Sequence, residues 1–274
     1  MTEHGASVRM SSACPAGLLF GFSLLLVLLC PASAGPWIDL SHTYDKTTQY
    51  WPGNLKFNLS TVFKGQMEGF WLEAHNFETA EHGGTHMDAP VHIFRGGWTL
   101  EQIPVDRFVA HAALVNISAR SDADPDTTLT PADLIAWKEA HGNWRYPTIL
   151  LVYTGYADHW GNITRYWGVT PEDFKAKKAV NGHDLHFPGI GAAAAEMIAA
   201  DGAIVGVGID TPSLDPGTSK VFPAHQALFR SNIFGLEHVG DMSRVPATGA
   251  TILALPMKIG GGSGGPCRVL VRLP

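Results

Sequence analysis

The sequence predicts a single α/β domain in which a mixed β core is flanked by helices. Apolar, β-branched runs such as 148–154 and 203–209 are bounded by turn residues, which is typical of buried strands. Segments that begin with Thr-Pro and a carboxylate lie between such runs and have the composition of helix starts. Strands and helices therefore alternate along the chain.

The first 34 residues are predicted to be a secretory signal peptide. An apolar run from Ala16 to Leu29 follows Arg9, and residues 31–34 supply the small side chains of a cleavage site. The run is shorter than the roughly 20 residues that span a bilayer, which favours cleavage after Ala34 over a retained anchor. The domain then covers residues 35–274, with no later membrane span, and we expect it to be secreted or to reside in a secretory-pathway lumen.

Composition argues against nucleic-acid binding and against a disulfide-stapled fold. The net charge is −6, and the basic residues are scattered rather than clustered. Of the three cysteines only Cys267 lies beyond the predicted signal, so the mature chain has no intramolecular disulfide. Sequons at Asn58, Asn116 and Asn162 agree with passage through a secretory pathway.

The elements follow one another in a simple order. A strand-like entry at 37–42 precedes a turn at 50–54 and an alternating strand at 70–77. The later predicted strands are 109–117, 148–154, 203–209, 252–259 and 268–273. The predicted helices run over 130–141, from Thr170 onward, and over 189–200.

Two polar segments at strand ends allow two interpretations each. Residues 260–266 are Gly-rich but lack the Lys-Ser/Thr of a phosphate-binding loop, so they form either a plain hairpin loop or a close backbone approach to a small ligand. Residues 210–213 place a carboxylate and hydroxyls at a strand end, where they either line a cleft or cap a turn.

Residues 82–92 read His-Gly-Gly-Thr-His-Met-Asp-Ala-Pro-Val-His. Three imidazoles and a carboxylate in eleven residues are the ligand types of a divalent transition metal such as zinc or manganese. Chance clustering is the alternative, because the chain has 13 histidines. The glycine pair and the proline argue against a helix, so a loop must carry the ligands.

The spacing within this segment assigns a place to each side chain. His86 and Asp88 are two residues apart, so in extended backbone both point to one face. The pair Gly83-Gly84 lets the chain fold back so that His82 reaches the same point. His92 follows a stiffening proline, and we expect it near the ion as a general acid or base rather than as a ligand.

Three further side chains are candidates on sequence grounds. His225 and Glu237 lie in apolar surroundings, where an unpaired carboxylate is costly and a metal ion would neutralise it. Pairing of Glu237 with Arg230 or Arg244 explains its position equally well. Trp51, before a Pro-Gly turn, is either a core plug or a surface on which an aromatic substrate stacks.

The chain resembles the cyclase family of metal-dependent hydrolases, which includes bacterial kynurenine formamidases and isatin hydrolases. Residues 82–92 match the family pattern His-x-Gly-Thr-His-x-Asp-x-Pro-x-His, and supporting segments extend over nearly the whole mature chain. Those segments are Asp39-Leu-Ser41, Trp51-Pro52-Gly53, His225 with Glu237, Leu255-Pro-Met-Lys-Ile259 and Pro266-Cys-Arg268.

This resemblance implies a swivelling β/β/α type core, a homodimer, and one or two zinc or manganese ions. It implies that His92 carries the proton and that Trp51 contacts an aromatic substrate. The implied ligands are His82, His86 and Asp88 for one ion, and Asp88, His225 and Glu237 for a second or shared ion.

The sequence therefore predicts a hydrolase that cleaves the C–N amide bond of an aromatic substrate with metal-activated water. An open-chain N-formyl arylamine such as N-formylkynurenine and a cyclic amide such as isatin both fit the residues. A secreted metal-binding module without catalysis is the alternative of another class. The predicted signal peptide departs from the cytosolic location expected of tryptophan catabolism, which leaves the physiological substrate open.

Overall fold

The computed structural model describes residues 35–176 and 185–274, so the predicted signal peptide lies outside the described residues. The described strands are β1 (Trp37–Asp39), β2 (Asn58–Gln66), β3 (Trp71–Glu78), β4 (His86–Asp88), β5 (Val109–Asn116), β6 (Thr128–Leu129), β7 (Thr148–Tyr153), β8 (Gly189–Ile190), β9 (Ile204–Ile209), β10 (Phe234–Glu237), β11 (Thr251–Pro256) and β12 (Gly264–Arg272). The described helices are α1 (Ser118–Ala123), α2 (Pro131–His141), α3 (Ile163–Trp167), α4 (Pro171–Lys175), α5 (Ala192–Ala199) and α6 (Pro223–Arg230). None of these helices is long and apolar enough to cross a bilayer.

Seven strands close into a barrel-like ring in the order β12, β11, β5, β7, β9, β10 and β4. The ring closes because β4 pairs with both β10 and β12. β1 pairs with the later part of β12, at Leu270–Arg272. The pairs β5–β7, β7–β9 and β9–β10 are parallel. The other pairings in the ring are antiparallel. The predicted α/β domain with a mixed core is confirmed.

The central strands are buried on both faces, which explains their unbroken apolar sequences. On β7, Ile149 and Leu151 belong to one core cluster, whereas Leu150 and Val152 belong to the cluster formed with α2, α5 and α6. The free thiol of Cys267 is buried in the first cluster. Packing on both sides of the sheet thus supplies the core that the sequence predicted.

Helix α2 begins and ends where the sequence predicts. Thr130 Oγ1 accepts a hydrogen bond from the Asp133 backbone N–H, and the Asp133 carboxylate accepts one from the Thr130 backbone N–H. Gly142 follows the helix with a φ of 86°. Thr170 caps α4 in the same way, accepting from the Asp173 backbone N–H, so both predicted helix starts are confirmed.

One predicted boundary is wrong, because residues 189–190 do not open a helix. They form β8, which pairs in parallel with β6, and α5 begins only at Ala192. The Ile190 backbone N–H donates to the carbonyl of Leu214, and the Gly191 N–H donates to that of Leu129. These tertiary hydrogen bonds keep the segment extended, and the local sequence contains no sign of them.

Strands β2 and β3 form a separate two-stranded hairpin. β3 matches the strand predicted at 70–77, whereas β2 is additional. Five large apolar side chains on or beside this hairpin are more than half exposed: Leu59, Val62, Phe70, Trp71 and Phe77. Two-stranded hairpins are marginally stable alone in water, and contiguous exposed apolar surface commonly marks a contact site.

Candidate metal centre

The predicted glycine turn returns His82 to Asp88. Gly84 has a left-handed φ of 57°, and a Cβ atom added at Gly83 would lie 2.0 Å from the ring of Tyr50. Neither position accepts a larger residue without a shift of its surroundings. As a result His82 Nδ1 lies 2.7 Å from Asp88 Oδ1.

β4 presents His86 and Asp88 on one face, as their spacing predicts. His86 Nε2 is 3.1 Å from Asp88 Oδ1, and both side chains are buried. β10 pairs antiparallel with β4 and places Glu237 opposite His86, with its Oε2 3.5 Å from His86 Nε2. Strand pairing therefore brings together residues that are distant in the chain.

Helix α6 supplies the fifth side chain. His225 Nε2 lies 3.1 Å from Glu237 Oε1 and 3.4 Å from Asp88 Oδ2. Its other ring nitrogen, Nδ1, lies 2.6 Å from Asp215 Oδ2. The Asp215 carboxylate also accepts the backbone N–H groups of Ala224 and His225, so it fixes both the helix start and the imidazole. Sequence reasoning missed Asp215, because no local pattern links it to the site.

The first part of the Gly-rich segment, residues 260–263, lies in the loop between β11 and β12, whereas residues 264–266 begin β12 and pair with β4 beside the site. Ser263 Oγ donates a 2.6 Å hydrogen bond to Glu81 and lies 2.9 Å from His82 Nε2. Since the hydroxyl proton goes to Glu81, Ser263 accepts from His82 Nε2–H. Nδ1 is then the ligand atom of His82, on the side that faces Asp88.

The side chains form two overlapping groups that share Asp88, namely His82, His86 and Asp88, and Asp88, His225 and Glu237. Within each group the ligand atoms lie within 4.8 Å of one another. His86 Nε2 and Asp88 Oδ2 are buried and form no hydrogen bond among the described residues. Buried polar atoms are normally paired, and a coordinated cation would satisfy both. Imidazoles with carboxylates suit zinc or manganese.

The imidazoles and carboxylates of the site shift one another's pKa values. Burial opposes ionisation of Asp88, but His82 and His86 outweigh it and hold the pKa of that carboxyl well below its usual range. Burial also opposes protonation of His86, yet Asp88 and then Glu237 raise its pKa to about 9. The pKa of His225 is raised well above its usual value against burial by the carboxylates around it. A cation must therefore compete with protons for these imidazoles.

His92 lies beside the two groups without belonging to either. It ends a short 3-10 turn at Pro90–His92 and stacks on His82, with ring centroids 3.8 Å apart. Its centroid is 6.3 Å from that of His225. Desolvation lowers the pKa of His92 to about 4, so the imidazole is neutral at pH 7 and one of its ring nitrogens keeps a lone pair.

A cleft of about 370 Å³ opens over both groups, a volume typical of small-molecule sites. Its walls are mainly imidazoles and aromatic rings. The lining residues are Trp51, Asn54, His82, His86, His92, Ile93, Pro212, Ser213, Phe222, His225, Glu237 and His238. Six of the seven predicted site side chains, all except the buried Asp88, line this cavity.

Trp51 packs against the protein and also lines the cleft, so its contact with an aromatic substrate stays a prediction. Its ring meets Trp167 edge-on at 5.7 Å and Phe222 at 6.5 Å between centroids. Phe222 and His238 were missed by sequence reasoning. Their positive φ angles, 50° and 52°, are uncommon for such residues and have no sequence signal.

Contacts in the structure distinguish between the alternatives left open for Glu237 and for residues 210–213. Arg230 pairs with Glu196 at 2.9 Å, and no ion pair joins Glu237 to either arginine in the described part of the chain. Asp210 accepts hydrogen bonds from Thr154 and Gly155, and burial raises its pKa to about 6. Asp210 therefore holds a turn, whereas its neighbours at 212–213 reach the cleft.

A family model described as putative cyclase matches residues 38–216. The chain belongs to the cyclase family. The match includes the segment 82–92 and ends before His225. A curated relative, the isatin hydrolase of Roseibium aggregatum, is 35% identical over 204 residues, which are 71% of this chain and 72% of that protein. The kynurenine formamidase of Geobacillus thermodenitrificans is 30% identical over 237 residues, 86% and 97% of the two chains.

Solved structures agree with this cyclase-family assignment. Isatin hydrolase A from Ralstonia solanacearum has a TM-score of 0.76 and 27% identity, covering 87% of this chain and 92% of its own. The predicted family and fold class are confirmed, the named relatives are hydrolases, and the described residues include two groups of candidate metal ligands.

Proposed function

We propose that this cyclase-family chain hydrolyses the C–N amide bond of a small aromatic substrate. The hydrolase class itself agrees with the named relatives. One observation carries the finer proposal: two groups of ligand side chains share the buried Asp88, and the other members of both groups line a cleft of about 370 Å³ with aromatic walls.

The two groups are the candidate positions for the ion or ions. His82, His86 and Asp88 would hold the first zinc or manganese ion, and Asp88, His225 and Glu237 would hold a second or share the first. When bound, such a cation polarises a carbonyl and lowers the pKa of water to about 7. Ligands of both groups line the cleft, so an amide that enters it reaches them.

His92 moves the proton. Its neutral ring lines the cleft and stacks on the ligand His82. From that position it accepts a proton from the attacking water and delivers it to the leaving nitrogen. Stacking on a fixed ligand holds the His92 ring in place during both steps.

The aromatic side chains of Trp51 and Phe222 favour a substrate with a planar ring. They meet at 63° with centroids 6.5 Å apart and both line the cleft, an arrangement that offers faces and edges to an aromatic substrate. Relatives named kynurenine formamidase and isatin hydrolase act on substrates of this kind. An open-chain N-formyl arylamine and a cyclic amide are therefore the two substrate classes proposed.

Metal content and an assay panel test the proposal together. Purified protein is expected to contain zinc or manganese and to hydrolyse N-formylkynurenine or isatin. A chelator should abolish turnover and the metal should restore it. Bound metal without hydrolysis of any arylformamide or lactam would instead support the metal-binding module. The cleft over the ligands argues against that module, because it leaves a path for substrate.

The predicted homodimer is part of the proposal, with the β2–β3 hairpin as the contact. Its apolar side chains are exposed in the single chain, and a second copy would cover them. Light scattering should give twice the chain mass for the protein and a monomer for the double variant Phe70→Ser, Trp71→Ser. Val105→Ser, at another exposed apolar residue, should remain dimeric, and a monomeric parent protein would contradict the contact.

We also propose secretion or a lumenal location. The side chains of Asn58, Asn116 and Asn162 lie on exposed positions, so all three sequons are accessible to a glycosyltransferase. Terminal sequencing of the mature protein should start at Gly35, and a glycosidase should reduce its mass. An intact terminus at Met1 in native material would contradict the predicted cleavage.

A further inference from the structure

A second cavity, of about 430 Å³, lies at the end of the sheet opposite the candidate metal centre. It opens beside Thr148, where β7 begins, whereas Glu237 of the metal centre ends β10. Thr148 pairs with Ile204 at the start of β9, and Leu236 pairs with Gly208 near its end. The two levels are therefore about 15 Å apart along the strands, at roughly 3.3 Å per residue. The residues that line the two cavities form separate sets.

Trp144 offers an unpaired hydrogen-bond donor at this second cavity. Its side chain lines the cavity and is 7% exposed, yet its Nε1 has no hydrogen-bond partner among the described residues. The ring is held by Trp137, with centroids 5.5 Å apart, and by Lys138, whose Nζ lies 4.2 Å from the ring centroid. The Nε1–H of Trp137, by contrast, donates to the Leu114 carbonyl at 3.0 Å. Buried indole N–H groups usually have a partner, and a ligand with an acceptor oxygen would supply one here.

The wall of the second cavity also carries positive charge. Arg145 lines it, is exposed, and forms no side-chain hydrogen bond or ion pair with another described residue. His111, His141 and Asn143 line it as well and add N–H donors. None of the lining residues is acidic. A guanidinium with further N–H donors around it matches a carboxylate.

We propose that this second cavity binds a small organic carboxylate. Arg145 pairs with the carboxylate, and Trp144 Nε1–H donates a hydrogen bond to one of its oxygens. Ala112, Ala113 and Trp137 form an apolar part of the wall for the rest of the ligand. The volume of about 430 Å³ is in the range of small-molecule sites and is larger than an inorganic anion fills. Binding here is independent of the proposed hydrolysis.

Indole N–H resonances of the zinc-loaded protein test this proposal. The chain has eight tryptophans, and Trp144→Phe and Trp51→Phe each remove one ¹H–¹⁵N peak and so assign it. The probe is benzoate, which should shift the Trp144 peak and saturate it. Benzoate bound at the metal centre would instead shift the Trp51 peak, because Trp51 lines that cleft.

Two arginine variants measure the charge contribution. Arg145→Gln should weaken benzoate binding at the Trp144 peak about tenfold or more, because it removes a charged donor. Arg244→Gln is the matched control, since Arg244 is also exposed but lies outside the lining of the second cavity, and its affinity for benzoate should equal that of the parent protein. Benzyl alcohol, which is neutral, and inorganic phosphate should leave the Trp144 peak in place at the same concentrations.

Three results would each overturn the proposal. These are a Trp144 peak that benzoate does not move, an equal shift with benzyl alcohol or inorganic phosphate, and an unchanged affinity in Arg145→Gln. If Trp144→Phe does not fold, calorimetric titration of Arg145→Gln and Arg244→Gln with benzoate decides the question. Weaker binding by Arg145→Gln alone would support the site, and equal affinities would overturn it.

Discussion

Replacing Asp215 with Asn tests whether Asp88, His225 and Glu237 bind an ion. Asp215 Oδ2 lies 2.6 Å from His225 Nδ1, and the carboxylate accepts two backbone N–H groups at the start of α6. Asn keeps an oxygen for the helix start but removes the negative charge that helps raise the pKa of His225. Loss of an orienting carboxylate lowers metal affinity about 10–100-fold, which is about 1.4–2.7 kcal/mol.

Calorimetric titration of the chelator-stripped protein with zinc measures this loss. Asp126→Asn is the matched control, because Asp126 also lies 2.9 Å from a histidine, His186, but that pair is exposed and outside the cleft. In Asp215→Asn the second equivalent should weaken and the first should not, whereas the control should match the parent protein. Unchanged affinity and stoichiometry would refute the second ion and leave one at His82, His86 and Asp88.

Three further predictions follow from the same geometry. His92→Ala should retain metal but lose about 10²-fold or more in kcat, because it removes a general acid–base, and near-normal turnover would exclude the assigned role. Asp88→Ala should lose metal at both groups. Because metal binding contributes to folding free energy, a chelator should no longer lower the melting temperature of this variant. A melting temperature that still falls with the chelator would contradict the shared-ligand role of Asp88. In chelator-stripped protein the raised pKa of His86, about 9 against an ordinary 6.5, contributes stability that is present below pH 6.5 and is lost as pH rises through 9. Thermal melts of the parent protein and of His86→Gln across this window should therefore converge toward high pH, and parallel curves would show that His86 is not protonated there.

Local sequence was sufficient wherever the controlling interactions lie a few residues apart. The spacing of His86 and Asp88 fixed their common face, because alternation in a strand depends only on neighbouring residues. The same holds for the turn that returns His82 and for the Thr130 cap of α2. Residues 82–92 were therefore sufficient to predict a metal-binding segment and the family resemblance from sequence.

The tertiary structure decided what joins this segment from elsewhere. Closure of the sheet through β4 placed Glu237 opposite His86, and α6 delivered His225 with its orienting Asp215. His238 has a positive φ, and its carbonyl accepts from Thr85 Oγ1, a contact between segments far apart in the chain. These contacts link segments far apart in the chain, and their free energy comes from packing and hydrogen bonds that form only when the sheet closes. Sequence determined which groups are available, and tertiary packing determined which of them share one cavity.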